Sequence, residues 1–276
     1  MVYKKSENFF LIIDAISTLD EVQAVGKCGG KELPVSNGSD VDVFVFCDAI
    51  PEAGKRKAKM DEIAHVITKT QINAFEGELW GVGDFIYVGD MEICIMYFTI
   101  AKTVSYIEAV LNGEHLDKVN NYFYPTGRCA TIKNIYILFD RRGFLASMKE
   151  KLSVYPAGLA EKMIKRHLSR LENTEDLERA VAREDALFYH FALDISIDHF
   201  LQALFALNRS FFPSRKRTTE HMAAFGRLPE DCAGRLLKVV ELGGYRDTIR
   251  QSYDLWTGLC RDLSDIVRSH KGAGET

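Results

Sequence analysis

Two carboxylates, Asp40 and Asp42, bracket a single valine, and Val43 follows. Side chains alternate along a β-strand, so this spacing sets both carboxylates on one face and both valines on the other. Two such charges repel unless a cation lies between them, and hard oxygen donors in a partly open site suit Mg2+, which keeps waters and accepts phosphate oxygens. Nine residues separate Asp40 from Cys28-Gly29-Gly30. A glycine pair lets backbone approach a phosphate closely and offer its N–H groups. Ser39, directly before the first carboxylate, suits orienting the turn or a phosphate. A third carboxylate, Glu92, is the only charge in the apolar run Met91-Glu-Ile-Cys-Ile-Met-Tyr97. A lone Glu in such a strand is costly unless paired or coordinated, so metal ligand and general base are both open roles for it. Asp90 follows Gly89 and reads as a turn residue instead.

The pattern of a hydrophobic residue, Gly-Gly, a nine-residue spacer and carboxylate–apolar–carboxylate resembles the signature of the DNA polymerase beta-type nucleotidyltransferases. The likeness in catalytic elements covers roughly residues 20–100. It implies that Asp40, Asp42 and Glu92 hold Mg2+ and that Gly29, Gly30 and Ser39 position the phosphates of a nucleoside triphosphate, ATP being the first choice. A second stretch, Asn208-Arg209 through Pro213 to Arg215-Lys216-Arg217, looks like the helical domain appended to aminoglycoside and lincosamide nucleotidyltransferases. That likeness implies a cationic clamp on the triphosphate, with Lys216 as the first candidate and Arg215 or Arg209 as substitutes.

His190, Asp194 and Asp198 fall four residues apart and share one helical stripe, which suits either a cationic acceptor or plain solvation. Arg183 and His190 stand in an Arg-x6-His spacing similar to that of nuclease-type helical domains, a two-residue pattern that assigns no role by itself.

These residues need a scaffold, and periodicity supplies one. Residues 6–19 repeat at helical spacing, residues 22–28 and 41–46 read as strands, and residues 51–70 as a polar helix. Further strands are expected at 79–82, 85–88, 91–98 and 132–139, with a helix at 101–111. From residue 141 the periodicity is helical: 143–152, 157–171, a long 177–207, 218–225, 233–242 and 245–269. The expected fold is therefore an α/β (α+β) nucleotidyltransferase domain with a small mixed sheet over 1–140, then an all-α helical bundle over 141–276.

Composition narrows the classes. The 276 residues are 47% hydrophobic and 27% charged, enough for a sizeable core. Residues 1–140 hold 13 Lys and Arg against 20 Asp and Glu, a net of −7, whereas the remainder nets +3. An acidic front suits a metal site, and the absence of a basic field gives no reason to expect nucleic acid as partner. The six cysteines form no Cys-x-x-Cys pair, which removes zinc-finger and thioredoxin readings and points to a reduced, cytoplasmic protein. No stretch reaches the roughly 20 apolar residues of a membrane span. The sequence thus leads to Mg2+-dependent transfer of a nucleoside monophosphate from a triphosphate to an acceptor hydroxyl of an antibiotic-like small molecule. AMP transfer to a protein and a non-catalytic nucleotide-binding module are the alternatives, and oligomerisation is left open.

Overall fold

The computed structural model describes residues 2–33, 40–77, 81–116 and 124–272. Its chain divides into two compact units, one of residues 1–109 with 128–154, the other of residues 110–127 with 155–276.

The first unit is built on a six-stranded mixed sheet. Its strands are β1 (Val22–Lys27), β2 (Asp40–Cys47), β3 (Lys69–Gly77), β4 (Gly81–Val88), β5 (Met91–Thr99) and β6 (Tyr136–Asp140), in the order β3-β4-β5-β2-β1-β6. β2 and β5 run parallel, while the other neighbours are antiparallel. Valines and isoleucines dominate the central strands, and their branched side chains fit a pleated surface buried on both faces. Helices α1 (Val2–Ser17) and α2 (Ala53–Glu62) belong to one side, where Ile12, Ile16, Val43, Val45, Ile93 and Ile95 are closed from solvent. On the opposite face Phe44, Phe46 and Phe98 pack together, and Phe144 of α5 (Phe144–Lys151) joins them. The order between these elements also includes α3 (Ile100–Leu111) and α4 (Gly127–Asn134).

Residues 69 and 70, expected to end a helix, instead begin the edge strand β3, which runs on to Gly77. Its side chains are mostly exposed, so it lacks the apolar run that marks a buried strand. Residues 132–139 also divide differently: α4 runs to Asn134 and only Tyr136–Asp140 pairs with β1.

The second unit is helical: α6 (Ala157–Leu171), α7 (Glu175–Ala182), α8 (Ala186–Leu207), α9 (Thr218–Met222), α10 (Cys232–Gly243) and α11 (Ile249–Gly272). Its core gathers Tyr189, Phe200, Phe205, Phe212 and Trp256 with leucines of α8 and α11. The long helix expected over 177–207 is two helices. Glu184 takes a left-handed φ of 53°, Asp185 N–H reaches back to Ala180 O at 3.0 Å, and the Asp185 carboxylate accepts from Phe188 N–H to start α8. No helix among the described residues is long and apolar enough to cross a membrane.

Candidate active site

Asp40 is the first residue of β2, exposed, and Asp42 is half-buried two residues on, between the buried Val41 and Val43. The parallel register sets Asp40 beside Glu92 and Asp42 beside Cys94. Strand alternation therefore puts all four side chains on one face, near the starts of two neighbouring strands. On the other flank of β2, Cys28 N–H donates to Asp42 O at 2.9 Å, immediately before Gly29 and Gly30. Both glycines adopt left-handed φ, 78° and 84°, which explains why glycine stands there twice. Ser39 lies outside the described residues.

Glu92 is not left to itself. Tyr87 is its partner across the β4–β5 pair, and the side-chain interaction with the Glu92 carboxylate raises the phenol pKa. The Lys69 ammonium sits 5.1 Å from the Tyr87 ring centroid. Asp90 occupies the two-residue turn after Gly89 that joins β4 to β5.

The electrostatics of this face are strongly negative. Burial and then the Asp42, Asp40 and Glu92 charges push the Cys94 thiol up to about 12. Burial and Asp42 do the same to Cys28, again to about 12. Both thiols stay protonated and act as small neutral walls rather than nucleophiles. Lys27, nearly closed from solvent, donates to Cys28 O at 3.1 Å, and burial lowers its pKa while Cys28, Glu32 and Asp42 oppose that shift. Arg128 of α4 lies over the Phe98 and Phe44 rings at 4.2 and 5.4 Å, and burial draws its pKa down to about 10.

Three carboxylates on one face form a donor set suited to a hard divalent cation. Among the described residues, however, no three His, Cys, Asp or Glu side chains are gathered closely enough to hold an ion as they stand. A cavity of about 330 Å3 opens at Asp42 and is lined also by Phe75, Glu76, Gly77, Cys94 and Met96.

A family profile described as a domain of unknown function (DUF4037) matches residues 124–217. No curated protein matches the chain in sequence. Among solved structures the chain is similar to a nucleotidyltransferase-like protein from Exiguobacterium sibiricum 255-15, at 12% identity and a TM-score of 0.47. That likeness covers 94% of this chain and 72% of that one. It is also matched, at 13% identity and a TM-score of 0.17, to the soluble domain of CorA from Methanocaldococcus jannaschii, covering 91% and 97% of the two chains.

The helical unit carries the remaining candidates. Lys216 is exposed, and its backbone N–H donates to Ser214 Oγ at 3.2 Å. Arg215 is engaged inside its own unit: it bridges Asp194 and Asp198 of α8, and Tyr124 donates to Asp198 at 2.6 Å. The acidic stripe thus already has its cation, which leaves it poorly suited to a second one. Arg209, at a left-handed φ of 52°, donates to Ala157 O. Arg183 ends α7 and His190 lies within α8.

Sequence reasoning passed over Phe75, Tyr87 and Lys27. Phe75 sits on an edge strand with no apolar run to announce it. Tyr87 is read as a partner of Glu92 only once the hairpin register is known.

Proposed function

We propose that the first unit catalyses nucleotidyl transfer from a nucleoside triphosphate to an acceptor hydroxyl. The observation that carries this is the in-register pair of Asp40 and Glu92 with Asp42, three carboxylates on one open face, next to the glycine pair that follows β1. Asp40 and Asp42, with Glu92, would hold Mg2+, whose charge, when bound, offsets that of the phosphate oxygens.

The chain's own groups have separable tasks. Gly29 and Gly30 present backbone N–H groups to the phosphates without a side chain in the way. The acceptor oxygen attacks the α-phosphorus in line, the α–β bridging P–O bond breaks, and pyrophosphate leaves. Glu92, in register with Asp40, is suited to take the hydroxyl proton on its carboxylate. The half-buried Cys28 and the buried Cys94 keep the wall around Asp42 neutral, so charge on this face comes from the carboxylates and whatever they bind.

Calorimetry with α,β-methylene-ATP tests the reading, since that analogue cannot be split at the bond in question. Wild-type protein should bind it only with Mg2+, and Asp40→Ala/Asp42→Ala should bind at least tenfold more weakly. Each charge-assisted contact removed is worth about 1.5–3 kcal/mol, and tenfold is 1.4. Binding by neither protein of any of four nucleoside triphosphates would sink the proposal in favour of an interaction module.

A further inference from the structure

Beside the carboxylates the open face carries an apolar shelf to which no role has yet been given. Phe75 of β3 pairs with Gly83 of β4, and Gly83 pairs in turn with Met96 of β5. Gly83 has no side chain, and the Phe75 ring lies across it: a Cβ built there would fall 1.9 Å from the ring. Phe85, the next residue of β4 on that face, meets Phe75 with ring centroids 5.6 Å apart and planes tilted 52°. The Phe75 ring is thus held from beneath by backbone and from one side by a second ring, yet stays half-exposed on the wall of the 330 Å3 cavity that also contains Asp42 and Met96. A rigid, half-wet aromatic surface abutting a carboxylate is an arrangement for binding rather than for folding, because the same ring buried in a core would stabilise more.

Strand order says which substrate belongs there. The glycine pair follows β1, on one flank of β2, while the shelf spans β5, β4 and β3 on the other. With phosphates drawn to the glycines, Asp42 stands between them and the shelf. Resting on the nucleotidyl-transfer reading above, we infer that the shelf is the acceptor pocket, and that the acceptor is a small molecule with a flat apolar ring separated from its reacting hydroxyl by one or two carbons. The ring lies on Phe75 and Met96, and the hydroxyl reaches Asp42. The cavity is near the lower bound for small-molecule pockets, about 300 Å3, which suits a single-ring molecule rather than a polypeptide segment.

The test uses two probes, 2-phenylethanol and glycerol, in saturation-transfer NMR on the full chain, with and without Mg2+ and α,β-methylene-ATP. The expected result is saturation of the phenyl protons on wild-type protein, none for glycerol, and a phenylethanol affinity about three- to tenfold lower in Phe75→Ala, the range of an aromatic pair contact. Phe75→Leu keeps an apolar side chain should Phe75→Ala fold poorly, and must show the same direction. Gly83→Ala, which displaces the ring without deleting it, should also weaken the probe. Nucleotide affinity should be the same in all three variants. Undiminished ring saturation in Phe75→Ala and Phe75→Leu, or none on wild-type protein, overturns the inference. So does a loss of nucleotide affinity in Phe75→Ala, which would make the shelf a nucleobase platform. Ring binding that depends on Phe75 while no nucleotide binds would leave the shelf standing and refute the transfer reading; the reverse pattern refutes the shelf alone.

Discussion

His167 of α6 and His199 of α8 approach with Nδ1 atoms 2.9 Å apart. Only one of those nitrogens can carry the shared proton, so a second would set two N–H groups against each other. Burial first, then His199 and the guanidinium groups of Arg166 and Arg170, lower the His167 pKa to about 3. The unfolded chain takes up that proton near the ordinary 6.5, so stability is complete above 6.5 and is lost as pH falls towards 3. At 1.36 kcal/mol per pH unit, moving from pH 7.5 to pH 5 should cost about 2 kcal/mol through this residue. Urea unfolding of wild type and His167→Gln at both pH values checks it: the variant should lose that much less, and identical losses would refute the pair as the cause. Burial of charge is managed differently at Arg56 and Asp84, each almost wholly closed from solvent. Arg56 Nη1 donates to both Asp84 carboxylate oxygens, at 2.9 and 3.0 Å, and with Asn73 and Tyr97 beside them this pairing ties α2 to β3 and β4.

Elements reveal where sequence reading succeeds and where it stops. The strands β1, β2 and β5 and the carboxylate pattern on them were legible because buried strands are continuous apolar runs, and an acid inside one is conspicuous. The third carboxylate, Glu92, could be singled out on that ground, but its alignment with Asp40 is a fact of register, which no local pattern states. β3 escaped because an edge strand is under no pressure to be apolar. The α7–α8 break escaped because Glu184 occupies a left-handed position where glycine would have given notice. That break depends on Asp185 as the cap of α8. Asp185→Ala should lower stability by about 1 kcal/mol, the usual value of such a cap, and Asp185→Asn by much less. Thermal unfolding followed by circular dichroism distinguishes these, and equal midpoints for Ala and wild type would dismiss the cap.

At the scale of the whole molecule the chain does not finish one unit before starting the other. It leaves the first unit after residue 109, returns at residue 128, and leaves again after residue 154. The last return brings in α5, whose Leu145 and Met148 are buried and whose Phe144 ring stands 5.3 Å from Phe46. Gly26 of β1 makes room for this packing, since a Cβ there would meet Ile135 at 2.5 Å and Leu145 at 3.2 Å. A fragment ending at residue 154 should therefore be more stable than one ending at residue 140. The difference should be several kcal/mol, given about 2–5 for each large buried side chain removed. Comparable urea midpoints for the two fragments would contradict that packing.

The single parallel pair has a consequence in time. β4 and β5 are joined by a two-residue turn and can close within microseconds, carrying Tyr87 and Glu92 together. β2 must instead wait for the whole stretch from α2 to the end of that hairpin to be gathered before it can lie along β5. Closing so long a loop is entropically slow. Asp40 and Asp42 therefore join Glu92 through a pairing that closes more slowly than the hairpin carrying Glu92. The repulsion that Glu92 exerts on the two aspartates arrives only with that pairing, after the strands that carry it are formed.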